Sequence, residues 1–211
     1  PLKPAQKMEP TRVKAAGSLL NRQAGLGGIL SPDCNRGECI TPSKVYLKRL
    51  QDWSSDQKIS ETVSSLWQGM EPMLDFIGGN SFTAIKLTFG EEGATGYVKP
   101  AWLAGLLNSL RQKTENAFIV ETNTLYREKR SNAVGHLRVA ESHGYSLEKT
   151  GIPVIIADGL RGRDGQNISI RGDHFENVKI ARGICESDNM ICISHVTGHM
   201  QSGFAGAIKN L

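Results

Sequence analysis

The residues best suited to chemistry lie near the end of the chain, in ICISHVTGHMQSGFAGAIKNL. His195 and His199 stand four apart, followed by Gly203, Gly206 and Lys209. Histidine is the commonest metal ligand and the natural acid or base near neutral pH, so either histidine could move a proton or hold a metal. Glycines at 203 and 206 would let backbone N–H groups approach an anion closely. A helix starting at Ala207 would add a partial positive charge, and Lys209 a full one. The spacing is G-x-x-G, which does not fit a dinucleotide fingerprint.

Other strand-end segments carry complementary chemistry. ETNTLYREKRSN sets Thr122, Asn123 and Thr124 before Arg127, Lys129 and Arg130. Hydroxyls and an amide beside cations suit an anionic ligand; they equally suit a capped turn followed by a solvated charge run. Asp158, in ADG, is either a turn residue or a metal-binding carboxylate at the end of a buried strand. Lys86 lies inside a strand pattern, where a lone charge is costly, so Glu91, Glu121 or a bound anion should neutralise it. Glu91 and Glu92 read as solvated. A metal, if bound, would draw on His195, His199 and Asp158.

The elements that must position these residues alternate. KVYLKRL reads as a first strand. Ile59, Val63, Leu66, Trp67, Met70, Leu74 and Ile77 recur at helical spacing, with Pro72 dividing the segment. FTAIKLTF is a strand, AWLAGLLNSLRQK a helix, NAFIVETNT a strand and NAVGHLRVAESHG a helix ending at glycine. IPVIIADG reads as a strand buried on both faces, NISIRGDHFENVKI as a hairpin and MICISHV as the last strand. SGFAGAIKN reads as a loop leading into a helix that should extend past Leu211, so the chain looks truncated at its C-terminus. The expected fold is α/β: a mainly parallel sheet with flanking helices, Rossmann-like layering and one small β-hairpin insertion. In such sheets ligands bind outside the strand carboxyl ends, so the segments leaving the strands, residues 88–92, 122–124, 158–163 and 195–209, should meet at one edge.

Composition narrows the function. Residues 1–49 hold nine Lys/Arg against three Asp/Glu, and the remainder sixteen against eighteen. The basic excess therefore belongs to a Gly/Pro-rich tail, residues 1–42, expected to be extended; residues 43–211 form the folded domain. A near-neutral body argues against a nucleic-acid partner. No apolar run is long enough for a membrane span and PLKPAQKMEP is no secretory signal, so a cytoplasmic location is expected. Cys34 and Cys39 are spaced C-x4-C, and Cys185 and Cys192 are seven apart. The closely spaced cysteines that would hold an iron–sulfur cluster are missing, so no cluster is expected in this chain as given.

AIKLTFGEEGATGYVKP, ETNTLYREKRSNAVGHL, IPVIIADGLRG and SHVTGHMQSGFAGAIKNL, in that order, resemble the uncharacterised family called domain of unknown function 362. The resemblance runs from about Ser43 to Leu211. Many members continue into a ferredoxin-like domain with clustered cysteines, which implies redox work linked to iron–sulfur chemistry and a ferredoxin-like domain or protein as partner. Relatives often have histidine where this chain has Thr88 and aspartate where it has Glu121. The closing motif, His199, Gly203, Gly206 and Lys209, is also similar to a loop of the nickel-pincer lactate racemases. That similarity implies an acid/base role for His199 and a cofactor or anion contact for Lys209. Three functions follow: a domain binding a small anionic ligand or metal centre in a redox protein, a racemase-like enzyme on a 2-hydroxy acid, or a non-catalytic interaction module.

Overall fold

In the computed structural model the described residues are 45–50, 52–200 and 202–211. Tyr46–Leu211 form one compact unit. The tail, residues 1–42, with Cys34 and Cys39, lies outside the described residues. No helix among the described residues is long and apolar enough to cross a membrane.

The first helix, α1, spans Asp56–Met70. It starts where the Ser55 side chain accepts from the Lys58 amide, and it gives way to a 3-10 turn, Glu71–Met73, that contains Pro72. There follow β1 (Thr83–Lys86), a 3-10 turn (Pro100–Leu103), α2 (Ala104–Lys113) and β2 (Ala117–Glu121). After a 3-10 turn at Lys129–Ser131 come α3 (Ala133–Ser142), α4 (Leu147–Thr150) and β3 (Val154–Ile156). The chain closes with a hairpin of β4 (Gly165–Ser169) and β5 (Asn177–Ala181), α5 (Arg182–Cys185) and β6 (Asn189–Cys192). A second hairpin, β7 (Thr197–His199) with β8 (Gly203–Ala205), leads to α6 (Ala207–Asn210).

The central sheet has four parallel strands in the order β3-β2-β1-β6. Every residue of β1 and β2 is buried, as expected of inner strands covered on both faces. On one face, Ile85, Leu87 and Ile119 pack with Trp67 of α1, Leu106, Leu107 and Leu110 of α2, and Ala140 of α3. On the other, Ala84, Phe118 and Val120 pack with Ile184 of α5 and with Ile180, Ala181 and Met190. Burying each of the three α2 leucines contributes about 1.5–3 kcal/mol.

The α/β architecture and the hairpin insertion agree with the sequence pattern. Three local expectations need correction. The described part of KVYLKRL, residues 45–50, forms no strand; Val45 and Leu47 are exposed and the segment has no ladder partner among the described residues. β3 is not buried on both faces, because it is an edge strand and Ile155 is 42% exposed. GFA is the second strand of a hairpin, not a loop, paired with TGH through Thr197↔Ala205 and Gly198↔Phe204.

Candidate functional site at the strand carboxyl ends

The carboxyl ends of β1 and β2 hold a buried charge network. Lys86 Nζ donates to Glu121 Oε1 at 2.6 Å, and both side chains are 7% exposed. The Glu121 carboxylate also accepts from the Thr122 amide at 3.0 Å and lies 3.8 Å from Arg130 Nη1. Arg130 is buried and bonded to Glu91 through Nε and Nη2, and Tyr126 donates its hydroxyl to the same carboxylate. The Arg130 guanidinium holds Glu91 below the usual carboxylate range. Burial opposes the charge on Arg130, yet Glu91 keeps its pKa above the ordinary arginine value. Two cations and two carboxylates thus neutralise one another. The partner expected for Lys86 is Glu121, and Glu91 is an ion-pair partner rather than merely solvated.

The last helix completes this network through a residue whose importance the sequence pattern did not show. Asn210 Oδ1 accepts from Lys86 Nζ and Thr88 Oγ1, each at 2.9 Å. Its Nδ2 donates to Ile193 O at 3.1 Å and to Ser194 Oγ at 3.0 Å. Asn210 therefore ties β1 to the chain leaving β6. Neighbouring Lys209 is exposed. The closing stretch reaches the strand ends, but through the asparagine beside the lysine.

At the β2–β3 edge, Asn123 and Asp158 build the loop. The Asn123 amide donates to both Asp158 oxygens, at 3.1 and 3.0 Å, and its Nδ2 to Asp158 Oδ1 at 2.8 Å. Burial raises the Asp158 pKa against these bonds. Gly162 closes the turn at φ +68°, and a Cβ there would stand 3.2 Å from Asp158 Oδ2. Thr124 joins the next turn, its amide donating to Arg130 O and its hydroxyl to Tyr126 O. Asn132 caps α3 by accepting from the Gly135 amide. Gly135 must be glycine, since a Cβ would meet Lys129 O at 2.2 Å. That close approach seats the first turn of α3 on the 129–131 segment.

Around Asn132 two open clefts adjoin, of about 440 and 500 Å³. Arg127, Lys129 and Arg138 line one, and Arg161 and Arg163 the other. Glu128 is the one carboxylate among the described residues in either lining. Lys129 pairs with Glu92 at 3.8 Å; among the described residues the four arginines have no carboxylate partner. Arg161 and Arg163 belong to the strand-leaving segment Asp158–Arg163, which alternation alone had placed at this edge. Arg138 lies in a helical pattern, which carries no signal of a site.

A family model for a domain of unknown function, DUF362, matches residues 83–211. The chain belongs to that family. The match begins at the first residue of β1 and takes in the whole central sheet; the resemblance expected from the motifs runs from about Ser43, 40 residues earlier. α1 precedes it, although Trp67 packs in the same core. No curated protein and no solved structure matches the chain.

The remaining site expectations fare unevenly. Asp158 follows β3 and His195 follows β6, the two opposite edges of the sheet. Three strand spacings separate those edges, roughly 14 Å, while a metal ion needs its ligands about 2 Å away. His195, His199 and Asp158 are therefore not gathered, and no group of three His, Cys, Asp or Glu among the described residues could hold a metal ion. His195 is exposed; His199, in β7, lies with Nδ1 3.0 Å from Ser202 Oγ. Gly203 needs its glycine for φ +76°, whereas Gly206 has an extended backbone open to any residue. His136, unremarked in the sequence, is wholly buried in α3 against Phe89, and neither ring nitrogen has a hydrogen-bond partner. Burial holds its pKa down at about 4.

Proposed function

We propose that this domain binds a small anionic ligand at the carboxyl edge of its parallel sheet, beside β2 and β3. The observation that carries this reading is the cation surplus at Asn132: among the described residues four arginines, together with a Lys129 already paired to Glu92, line the clefts against the single carboxylate of Glu128. Ligands of parallel α/β sheets sit at strand carboxyl ends, and the amino end of the ten-residue α3 adds favourable dipole charge. Arginine forks suit carboxylate or phosphate. Thr122, Asn123, Thr124 and Arg130 hold the loops that present these side chains, and the Lys86–Glu121 pair forms the buried base beneath.

An anion is favoured over a metal centre because the charged groups that converge here are cations. The redox and iron–sulfur link rests on the family resemblance; Cys185 and Cys192 are free thiols outside any metal-holding group among the described residues. The proton-transfer alternative rests on His199 and Lys209, and its test is epimerisation of 2-hydroxy acids with nickel and cofactor supplied. For the anion reading, titration calorimetry with inorganic phosphate at 50 mM salt should give saturable heat that weakens as salt rises. Arg161→Glu should abolish that heat. An absence of binding, or full binding by Arg161→Glu, would sink the proposal.

A further inference from the structure

The two basic clefts share Asn132 as a common wall, yet their cations come from different parts of the chain: the 127–138 segment on one side, and Arg161 and Arg163 on the other. A compact anion in one cleft would leave the cations of the other without a counter-charge. With Lys129 paired to Glu92, four arginines face one carboxylate among the described residues, and that surplus of three positive charges still exceeds what one carboxylate or one phosphate supplies. We infer that the ligand, given the anion reading above, is a small molecule carrying two or more linked phosphate groups, which spans both clefts across Asn132. Each phosphate then meets at least one arginine fork able to bond two oxygens at once. The β2–β3 edge suits this geometry because Ala133 N–H donates to Leu160 O at 3.1 Å, fixing the Arg161 loop against the start of α3.

Three features favour a small phosphorylated ligand over a nucleic-acid strand. No aromatic side chain lines either cleft, so a base has no ring to stack on. Cations around the clefts give way to a body with sixteen Lys/Arg and eighteen Asp/Glu over residues 50–211, so a long polyanion would be repelled beyond this patch. Each cleft has a single apolar wall, Val134 in one and Leu160 in the other, enough to touch a compact ligand body.

Calorimetry on the full chain tests this with inorganic phosphate and tripolyphosphate at equal ionic strength. Tripolyphosphate should bind one to one and at least about tenfold more tightly than phosphate. Arg138→Gln and Arg161→Gln, one in each cleft, should each weaken tripolyphosphate at least about fivefold. Their combination should be less than additive, because loss of either cleft leaves a ligand held at one end. Both residues are exposed, so unchanged circular dichroism melts should accompany these losses. Equal affinity for the two probes, or two phosphates bound independently with additive variants, would overturn the spanning ligand and leave the anion reading standing. A twelve-nucleotide RNA that displaces tripolyphosphate and binds more tightly at 150 mM salt would overturn it in favour of nucleic acid. No binding of either probe would defeat both inferences.

Discussion

Replacing Lys86 with methionine removes one partner of the buried ion pair while keeping the length of the side chain. Glu121 would keep the Thr122 amide at 3.0 Å and Arg130 at 3.8 Å, but lose its closest cation, at 2.6 Å. Asn210 Oδ1 would retain Thr88 alone of its two donors. Breaking one partner of a buried pair costs about 3–5 kcal/mol, and the surviving bonds to Glu121 place this case near 3. For a domain of this size that lowers the melting temperature by roughly 6–12 °C. Urea denaturation at pH 7, followed by circular dichroism, measures the loss. Lys86→Met combined with Glu121→Gln should lose less than the two singles added together, because the second change removes the uncompensated charge. A loss under about 0.5 kcal/mol for Lys86→Met, or strict additivity in the double variant, would refute the view that this pair is a coupled, buried support.

Two more perturbations probe the neighbouring structure. Asn210→Ala removes the side chain that joins Lys86 and Thr88 to the chain after β6. It should cost about 1–3 kcal/mol and speed alkylation of Cys192, whose sulfur now accepts from Asn210 Nδ2; mass spectrometry of labelled peptides reads the rate. His136 has a folded pKa near 4 against an ordinary 6.5, so the unfolded chain takes up its proton first as pH falls. Its contribution to stability is complete above pH 6.5 and is lost progressively down to about pH 4. Arg130, Glu91 and Lys86 act on the ring electrostatically, so the comparison must be made against a variant that removes only the imidazole. Denaturant curves for His136→Leu should show a smaller loss than wild type between pH 6.5 and 4; parallel losses would show that other groups govern the acid limb.

Much of the fold was legible because burial writes itself into residue type. The apolar residues of FTAIKLTF and NAFIVETNT make runs of strand length, and the structure places the two inner strands in them, each ending on one partner of the Lys86–Glu121 pair. α1 and α2 carry their core residues at helical spacing, and Pro72 marks the change to a 3-10 turn. KVYLKRL misled because a β-branched and aromatic run such as Val45-Tyr46-Leu47 favours a strand only where a neighbour offers a ladder. The site was legible as a set of loops rather than as a set of contacts. Alternation placed the Asp158–Arg163 and Thr122–Thr124 segments at one end of the sheet, but strand order puts Asp158 and His195 at opposite edges. Crossing from β3 to β6 by way of the hairpin and α5 is a tertiary choice that no local pattern records. Asn210 was passed over for a related reason: an asparagine near a helix end ordinarily reads as a cap, and its five bonds are to strand-end partners 16 to 124 residues away.

The most direct test of anion binding at the β2–β3 edge is a phosphate titration of ¹⁵N-labelled protein followed by heteronuclear NMR. Saturable shifts should concentrate on the amides of Asn132, Val134, Gly135, Arg161 and Gly162, with little change at His195, Gly203 or Lys209. Shifts confined to the β7–β8 hairpin and α6, or none that saturate, would contradict an anion site beside β2 and β3.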